Sequence, residues 1–170
     1  GTREYTYNYN GNRTAIYRDG VKDSYSIVFN SNRLTKTSIG SITYSYDANG
    51  NTIGRGTDVF VYDAFNRLTE ATVNGETSIY HYNSAHQRVR KSAGGVDVLY
   101  VYGLDGELLA EVDAGTGQTQ REYVWLDGQL MAYLVNGTVY HVHNDHLGTP
   151  QALTDELGEV VWKAQYTPFG

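Results

Sequence analysis

No cysteine occurs in the 170 residues, so no disulfide staples the fold and no thiol is available as nucleophile or metal ligand. A cytosolic and a secreted protein are equally compatible with that absence. Proline occurs twice and methionine once, while 40% of residues are hydrophobic, a balance that argues against disorder. No run approaches the roughly 18 apolar residues of a membrane span. Residues 1–30 carry no signal-peptide pattern, an absence of little weight because Gly1 reads as the start of an excised fragment or a tag remnant. Basic excess is missing too. A net charge of -6 and a pI near 5.2 leave no electrostatic footprint for nucleic acid or an anionic membrane. Neither a Gly-x-Ser-x-Gly elbow nor a phosphate loop appears.

What is present points to β structure. Tyr occurs 16 times and Gly 19 times, with Thr and Val plentiful. An aromatic-centred phrase ending in a turn recurs along the chain, most clearly at Tyr46-Asp47-Ala48-Asn49-Gly50-Asn51 and Tyr62-Asp63-Ala64-Phe65-Asn66-Arg67. Its anchors fall near Tyr7, Phe29, Tyr46, Tyr62, Tyr82, Tyr102 and Trp125, at intervals of 16 to 23 residues, with a variant pair around His143 and Tyr166. Such an interval suits one hairpin. Seven Asn-Gly or Asp-Gly pairs, such as Asn10-Gly11, Asn49-Gly50, Asn74-Gly75 and Asn136-Gly137, predict type I′ turns. Gly94-Gly95 reads as a loop. Between the turns, alternating runs such as Ser41–Tyr46, Asp58–Tyr62 and Val98–Tyr102 read as strands.

The fold expected is therefore all-β: consecutive antiparallel β-hairpins, about 16 strands in all, forming a long, twisted, curled ribbon. A compact sandwich is the competing solution. Four places after the anchor tyrosines stand Gly11, Gly50, Asn66, His86 and Gly106. These types tolerate left-handed backbone angles, which predicts the positive-φ corner of each turn. Asp47 and Asp63 read as Asx caps of the same turns, with calcium binding or acid catalysis as the alternative. The tyrosines read as cross-strand packing, with sugar binding or base stacking as alternatives.

One cluster has the residue types for chemistry. His141 and His143 share a face of a predicted strand, and Asp145 and His146 follow. Three imidazoles and a carboxylate suit a divalent metal such as zinc. The competing reading is a hydrogen-bonded turn leading into Leu147-Gly148-Thr149-Pro150. No cofactor and no catalytic residue are assigned. Asn12-Arg13-Thr14 and Asn136-Gly137-Thr138 match the glycosylation sequon, which a bacterial origin would leave unmodified.

The turn phrases, best matched at 46–52, 62–69 and 82–91, resemble the Tyr-Asp (YD) repeats of the Rhs family of bacterial polymorphic toxins. The same repeats occur in the C components of insecticidal toxin complexes and in animal teneurins. The closing stretch is similar to the Rhs core signature: His143, Asp145, His146, Leu147, Gly148, Thr149 and Pro150, then Tyr166, Pro168, Phe169 and Gly170. Thr167 departs from it, where the family usually has Asp. On this reading residues 1–135 are a YD-repeat hairpin array, and residues 136–170 are a core-signature segment continuous with the same sheet.

The resemblance implies a hollow shell that encloses a C-terminal toxin or effector segment, in a secreted or cell-surface bacterial parent. It also implies a self-cleaving region beyond Gly170, so this chain is expected to be shell wall without enzymatic activity. A carbohydrate-binding or adhesion module is the alternative, and a metal-dependent hydrolase at His141, His143 and His146 a weaker one. Partners expected are the toxin polypeptide, a second copy pairing through open strand edges, and a glycan on the adhesion reading.

Overall fold

The computed structural model describes residues 1–166. Pro168, Phe169 and Gly170 of the closing phrase lie outside the described residues. Within each of two sheets, every strand pairs with its neighbours in sequence, which is what short alternating segments joined by short turns produce. A first sheet holds β1 (Arg3–Tyr7), β2 (Arg13–Arg18), β3 (Val21–Ile27) and β4 (Leu34–Thr37). A 13-stranded sheet follows, also in sequential order. It begins with β5 (Tyr44–Tyr46), β6 (Thr52–Arg55), β7 (Asp58–Tyr62), β8 (Leu68–Val73), β9 (Glu76–Tyr82) and β10 (Arg88–Ala93). It continues with β11 (Val96–Tyr102), β12 (Leu108–Asp113), β13 (Thr119–Leu126) and β14 (Gln129–Val135). β15 (Thr138–Asn144), β16 (Pro150–Thr154) and β17 (Val160–Lys163) complete it. Two compact units divide the chain, Gly1–Ile79 and Tyr80–Gly170. The boundary expected at residue 135 falls in the turn between β14 and β15, which pair from Ala132↔His141 to Val135↔Thr138.

Two kinds of turn recur between the strands. In the first, Asp47 N–H donates to Asn51 O and Gly50 N–H donates to Asp47 O. Asp63, Asn83, Gly103, Asp145 and Asp155 open loops with the same pair of bonds, as does Asn8. Each is a type I turn closed by a left-handed residue. That residue is Gly11 (φ 76), Gly50 (φ 94), Asn66 (φ 60), His86 (φ 63) or Gly106 (φ 95) at the five positions named above.

The second kind is the two-residue type I′ turn, with positive φ at both corners: Asp19-Gly20, Asn74-Gly75, Gly94-Gly95, Asp127-Gly128 and Asn136-Gly137. Here the structure corrects the turn reading. Asn10-Gly11, Asn49-Gly50 and Asp105-Gly106 have positive φ only at glycine and belong to the longer loop, whereas Gly94-Gly95 is a hairpin turn.

The ladder is interrupted once, between β4 and β5. The predicted strand Ser41–Tyr46 starts only at Tyr44, because a 3-10 turn occupies Ile39–Ser41. The buried Asp23 carboxylate holds that turn, accepting from Ile39 N–H at 2.9 Å and Ser38 Oγ at 3.1 Å. Only the Lys36↔Thr43 bridge carries the pairing across.

The core is thin. Buried apolar residues among those described are Ala15, Ile16, Ala71, Val98, Ala132 and Val142, and none of the large side chains is fully enclosed. Strand faces are sharply sorted. In β7, Phe60 and Tyr62 are half-buried while Val59 and Val61 are exposed. In β11, Val98, Tyr100 and Tyr102 face inward while Leu99 and Val101 are exposed.

Candidate functional site

The half-buried face is an aromatic one with a repeated hydrogen-bonding device. Tyr102, the last residue of β11, donates its hydroxyl to the carbonyl of Arg88, the first residue of β10, at 3.0 Å. Its ring burial also raises its hydroxyl pKa. Trp125 Nε1 donates to Leu108 O at 2.8 Å, Tyr166 to Pro150 O at 2.6 Å, and in the first unit Tyr46 to Leu34 O at 2.7 Å. The Tyr102 bond closes the open end of the hairpin turned by Gly94-Gly95, and the Trp125 and Tyr166 bonds close the hairpins turned by the longer Asp113 and Asp155 loops, while the Tyr46 bond links β5 to β4 across the 3-10 turn. At β15 the donor is Asn144 Nδ2, bonded to Leu130 O at 2.8 Å. Asn144-Asp145 therefore stands where other repeats have Tyr-Asp, and His143 is not the anchor. Phe29 is not one either: it is 91% exposed in the loop after β3, and Ile27 ends that strand.

Guanidinium groups fill the gaps between rings. Arg88 lies 5.6 Å from the Tyr80 ring and 4.8 Å from Tyr100, and in the first unit Arg13 lies 5.6 Å from Tyr5 and 5.0 Å from Tyr25. These stacks shield the flat faces of the rings and add cation–π attraction.

The carboxylates serve turns. Asp47 accepts from Asn51 N–H at 2.8 Å, and the Asn51 side-chain amide is the main cause of its lowered pKa. At Asp63 burial works in the opposite direction and is outweighed by the Arg67 side chain and by backbone amides, so its pKa is also lowered. Asp97 on β11 is the most depressed. The Arg90 guanidinium, then the Ser92 hydroxyl, hold it at about 2.

The histidine cluster does not assemble. His141 and His143 lie on the exposed side of β15, with buried Val142 between them, and His143 Nε2 is 2.9 Å from Thr154 Oγ1. Asp145 instead accepts from Leu147 N–H (2.9 Å), Thr149 N–H (3.0 Å) and Gln151 Nε2 (3.0 Å), and those turn amides lower its pKa. His146, Leu147 and Gly148 are exposed in the same loop, and Thr149 and Pro150 lead into β16. Among the described residues no group of three or more His, Asp or Glu side chains is placed to hold a metal ion.

A hollow of about 530 Å³ lies on the aromatic face of the second unit. Arg121, Tyr123, Tyr133, Tyr140, Leu153 and Trp162 are among the residues that line it. Cross-strand pairing Tyr123↔Tyr133↔Tyr140 sets three rings in a row, with Tyr133 and Tyr140 stacked at 5.2 Å. Arg121 is held by Glu111 (3.4 Å) and lies 5.3 Å from the Tyr133 ring. Tyr123 donates to Glu111 at 2.5 Å, and its pKa is raised by burial first and by that bond second. Nothing in the sequence periodicity distinguishes this hollow, because it depends on the register of five strands. No helix among the described residues is long and apolar enough to cross a membrane.

With this architecture in view, comparison with known proteins is direct. The tRNA3(Ser)-specific nuclease WapA of Bacillus spizizenii is 35% identical over 98% of the chain, and Teneurin-1 of Mus musculus is 32% identical over 98%. The chain spans only 7% and 6% of those two proteins. The solved Photorhabdus luminescens Tc holotoxin pore superposes with a TM-score of 0.71 at 18% identity, covering 99% of this chain and 10% of that one, a likeness of fold. The Teneurin YD-shell model matches residues 1–170. By that full-length match and by its relatives, the chain belongs to the Teneurin YD-shell family.

Proposed function

We propose that this chain is a non-catalytic length of shell wall that encloses or displays another polypeptide, in the parent a C-terminal toxin or effector, outside the cell or at its surface. The observation that carries the reading is the sequential 13-stranded antiparallel sheet with every hairpin closed by a tight turn. Such a wall works mechanically. Its backbone groups are consumed by neighbouring strands, so a protease finds no extended segment to bind, and a polypeptide behind it is kept from both proteases and premature action. The relatives support the reading as longer proteins, one named as a tRNA nuclease, in which this length is a small part.

The test uses the parent protein with the residues that follow this chain. Limited proteolysis is expected to leave the downstream segment intact in the native parent and to degrade it once urea opens the sheet. Equal cleavage of that segment in both states would refute enclosure. Open strand edges favour self-pairing of the isolated chain, with β17 the clearest candidate because all four of its residues are exposed. Sedimentation showing a concentration-dependent dimer that Val161→Lys abolishes is the expected result.

A further inference from the structure

Asn is followed by Gly at Asn10-Gly11, Asn49-Gly50, Asn74-Gly75 and Asn136-Gly137. That pairing carries a reaction of its own, to which asparagine is prone. The glycine amide nitrogen loses its proton and attacks the Asn side-chain carbonyl carbon. A new N–C bond closes a succinimide ring, and the side-chain nitrogen leaves as ammonia. Water then opens the ring at either carbonyl, leaving Asp or an isoaspartyl residue. Glycine suits the step because it has no Cβ to crowd the nitrogen. Water is the only co-reactant.

The fold sorts these sites into two classes. Gly11 N–H donates to Asn8 O at 3.0 Å and Gly50 N–H to Asp47 O at 3.2 Å, so both nitrogens are engaged. Asn49 is held further, its Nδ2 donating to Asn66 Oδ1 at 2.9 Å. Gly75 and Gly137 instead occupy the second corner of type I′ turns, with φ 82 and φ 80. Among the described residues their amides donate to no acceptor, and the side chains of Asn74 and Asn136 are exposed and make no hydrogen bond. Ring closure swings the glycine nitrogen out of its turn geometry to face the Asn side chain. At Gly11 and Gly50 that motion first breaks a bond made by the glycine; at Gly75 and Gly137 it breaks none. Hairpin tips are also where local opening costs least.

We propose that Asn74 and Asn136 are the chain's sites of spontaneous deamidation, and that the bonded loop amides of Gly11 and Gly50 protect Asn10 and Asn49. The product disturbs the sheet. An isoaspartyl residue routes the main chain through its former side chain, adding a carbon to a turn whose geometry admits two residues. Asn74 N–H donates to Asp58 Oδ1 at 3.2 Å, and Asp58 also holds Arg55 at 2.8 Å, so a displaced tip loosens that ion pair's support. Asn136 joins the strands that carry the stacked Tyr133 and Tyr140 rings. Each event adds a carboxylate as well. The sheet thus ages at two hairpins, one in each compact unit.

The test incubates the 170-residue chain in mildly alkaline buffer at physiological temperature. Ion exchange follows the acidic species that accumulate. Peptide mapping by mass spectrometry locates each conversion and separates isoaspartyl from aspartyl products. Asn74 and Asn136 are expected to convert first, each about fivefold faster than Asn10 or Asn49, the factor for one net hydrogen bond. In guanidinium chloride the four rates should converge, because the fold no longer engages any of the amides. The double variant Asn74→Gly, Asn136→Gly should lose the early acidic species and stay folded, since Gly94-Gly95 already makes the same turn in this chain. Native-state conversion of Asn10 or Asn49 as fast as that of Asn74 and Asn136 would overturn the proposal. So would a ranking that persists in guanidinium chloride, or acidic species undiminished in the double variant.

Discussion

At the level of single residues, the turns and clasps carry more of the specificity than the core does. Gly106 has φ 95, and a Cβ there would be strained whatever the space around it. Gly106→Ala is expected to cost about 1–2 kcal/mol in urea unfolding, the penalty for an L-residue in a left-handed conformation. Tyr102→Phe removes the clasp to Arg88 O and leaves the ring in place. Its expected cost is about 1 kcal/mol. A pH effect belongs to Asp97, whose folded-state pKa is depressed to about 2 by Arg90 and Ser92. With an unfolded carboxyl near pH 3.9, the ion pair stabilises above about pH 4 and its contribution is lost as pH falls through about 2. The stability gap between the native chain and Asp97→Asn should therefore close across that window. A gap unchanged at pH 2 would show that the pair contributes nothing.

Elements were legible where one residue type answers one backbone demand. Asp58–Tyr62 is a strand as its alternation requires, and the corner residues at 11, 50, 66, 86 and 106 all have positive φ. Two things escaped. The break after β4 arises from the buried Asp23 carboxylate reaching a backbone amide 16 residues away, which no local pattern encodes. The anchor Asn144 was hidden by chemistry: an amide replaces an aromatic ring at the same bond. A signal did exist, since Asn144-Asp145 precedes Gly148 at the spacing by which Tyr62-Asp63 precedes Asn66. The hollow was invisible in the sequence because it is made by cross-strand register. Hydrogen exchange should follow the pairing: amides of β11 to β14, bonded on both sides, are expected to exchange slowest and those of β17 fastest. Uniform protection would contradict a sheet stabilised strand by strand.

For the molecule as a whole, a thin core and nearest-neighbour pairing imply weak cooperativity over distance. Both tryptophans, Trp125 and Trp162, lie in the second unit. Tryptophan fluorescence thus reports that unit alone, while far-ultraviolet circular dichroism reports all strands. The two urea transitions are expected to separate, and coincident curves would show the chain to be a single cooperative block. The exposed aliphatic residues Val59, Val61, Leu99 and Val101 add a demand of their own, because apolar side chains left in water favour contact with another surface.

The clasps have a consequence for how such a wall can grow. Each one needs a donor at a strand end and a carbonyl on the neighbouring strand, and Tyr, Trp and Asn all supply the donor. The acceptor is backbone, present whatever the side chain. A lineage is then free to change nearly every residue between turns, or to duplicate and delete hairpins in pairs, with each remaining clasp still satisfied. Removing a single strand would reverse the direction of every strand after it. Length varies in whole hairpins, and sequence drifts within them.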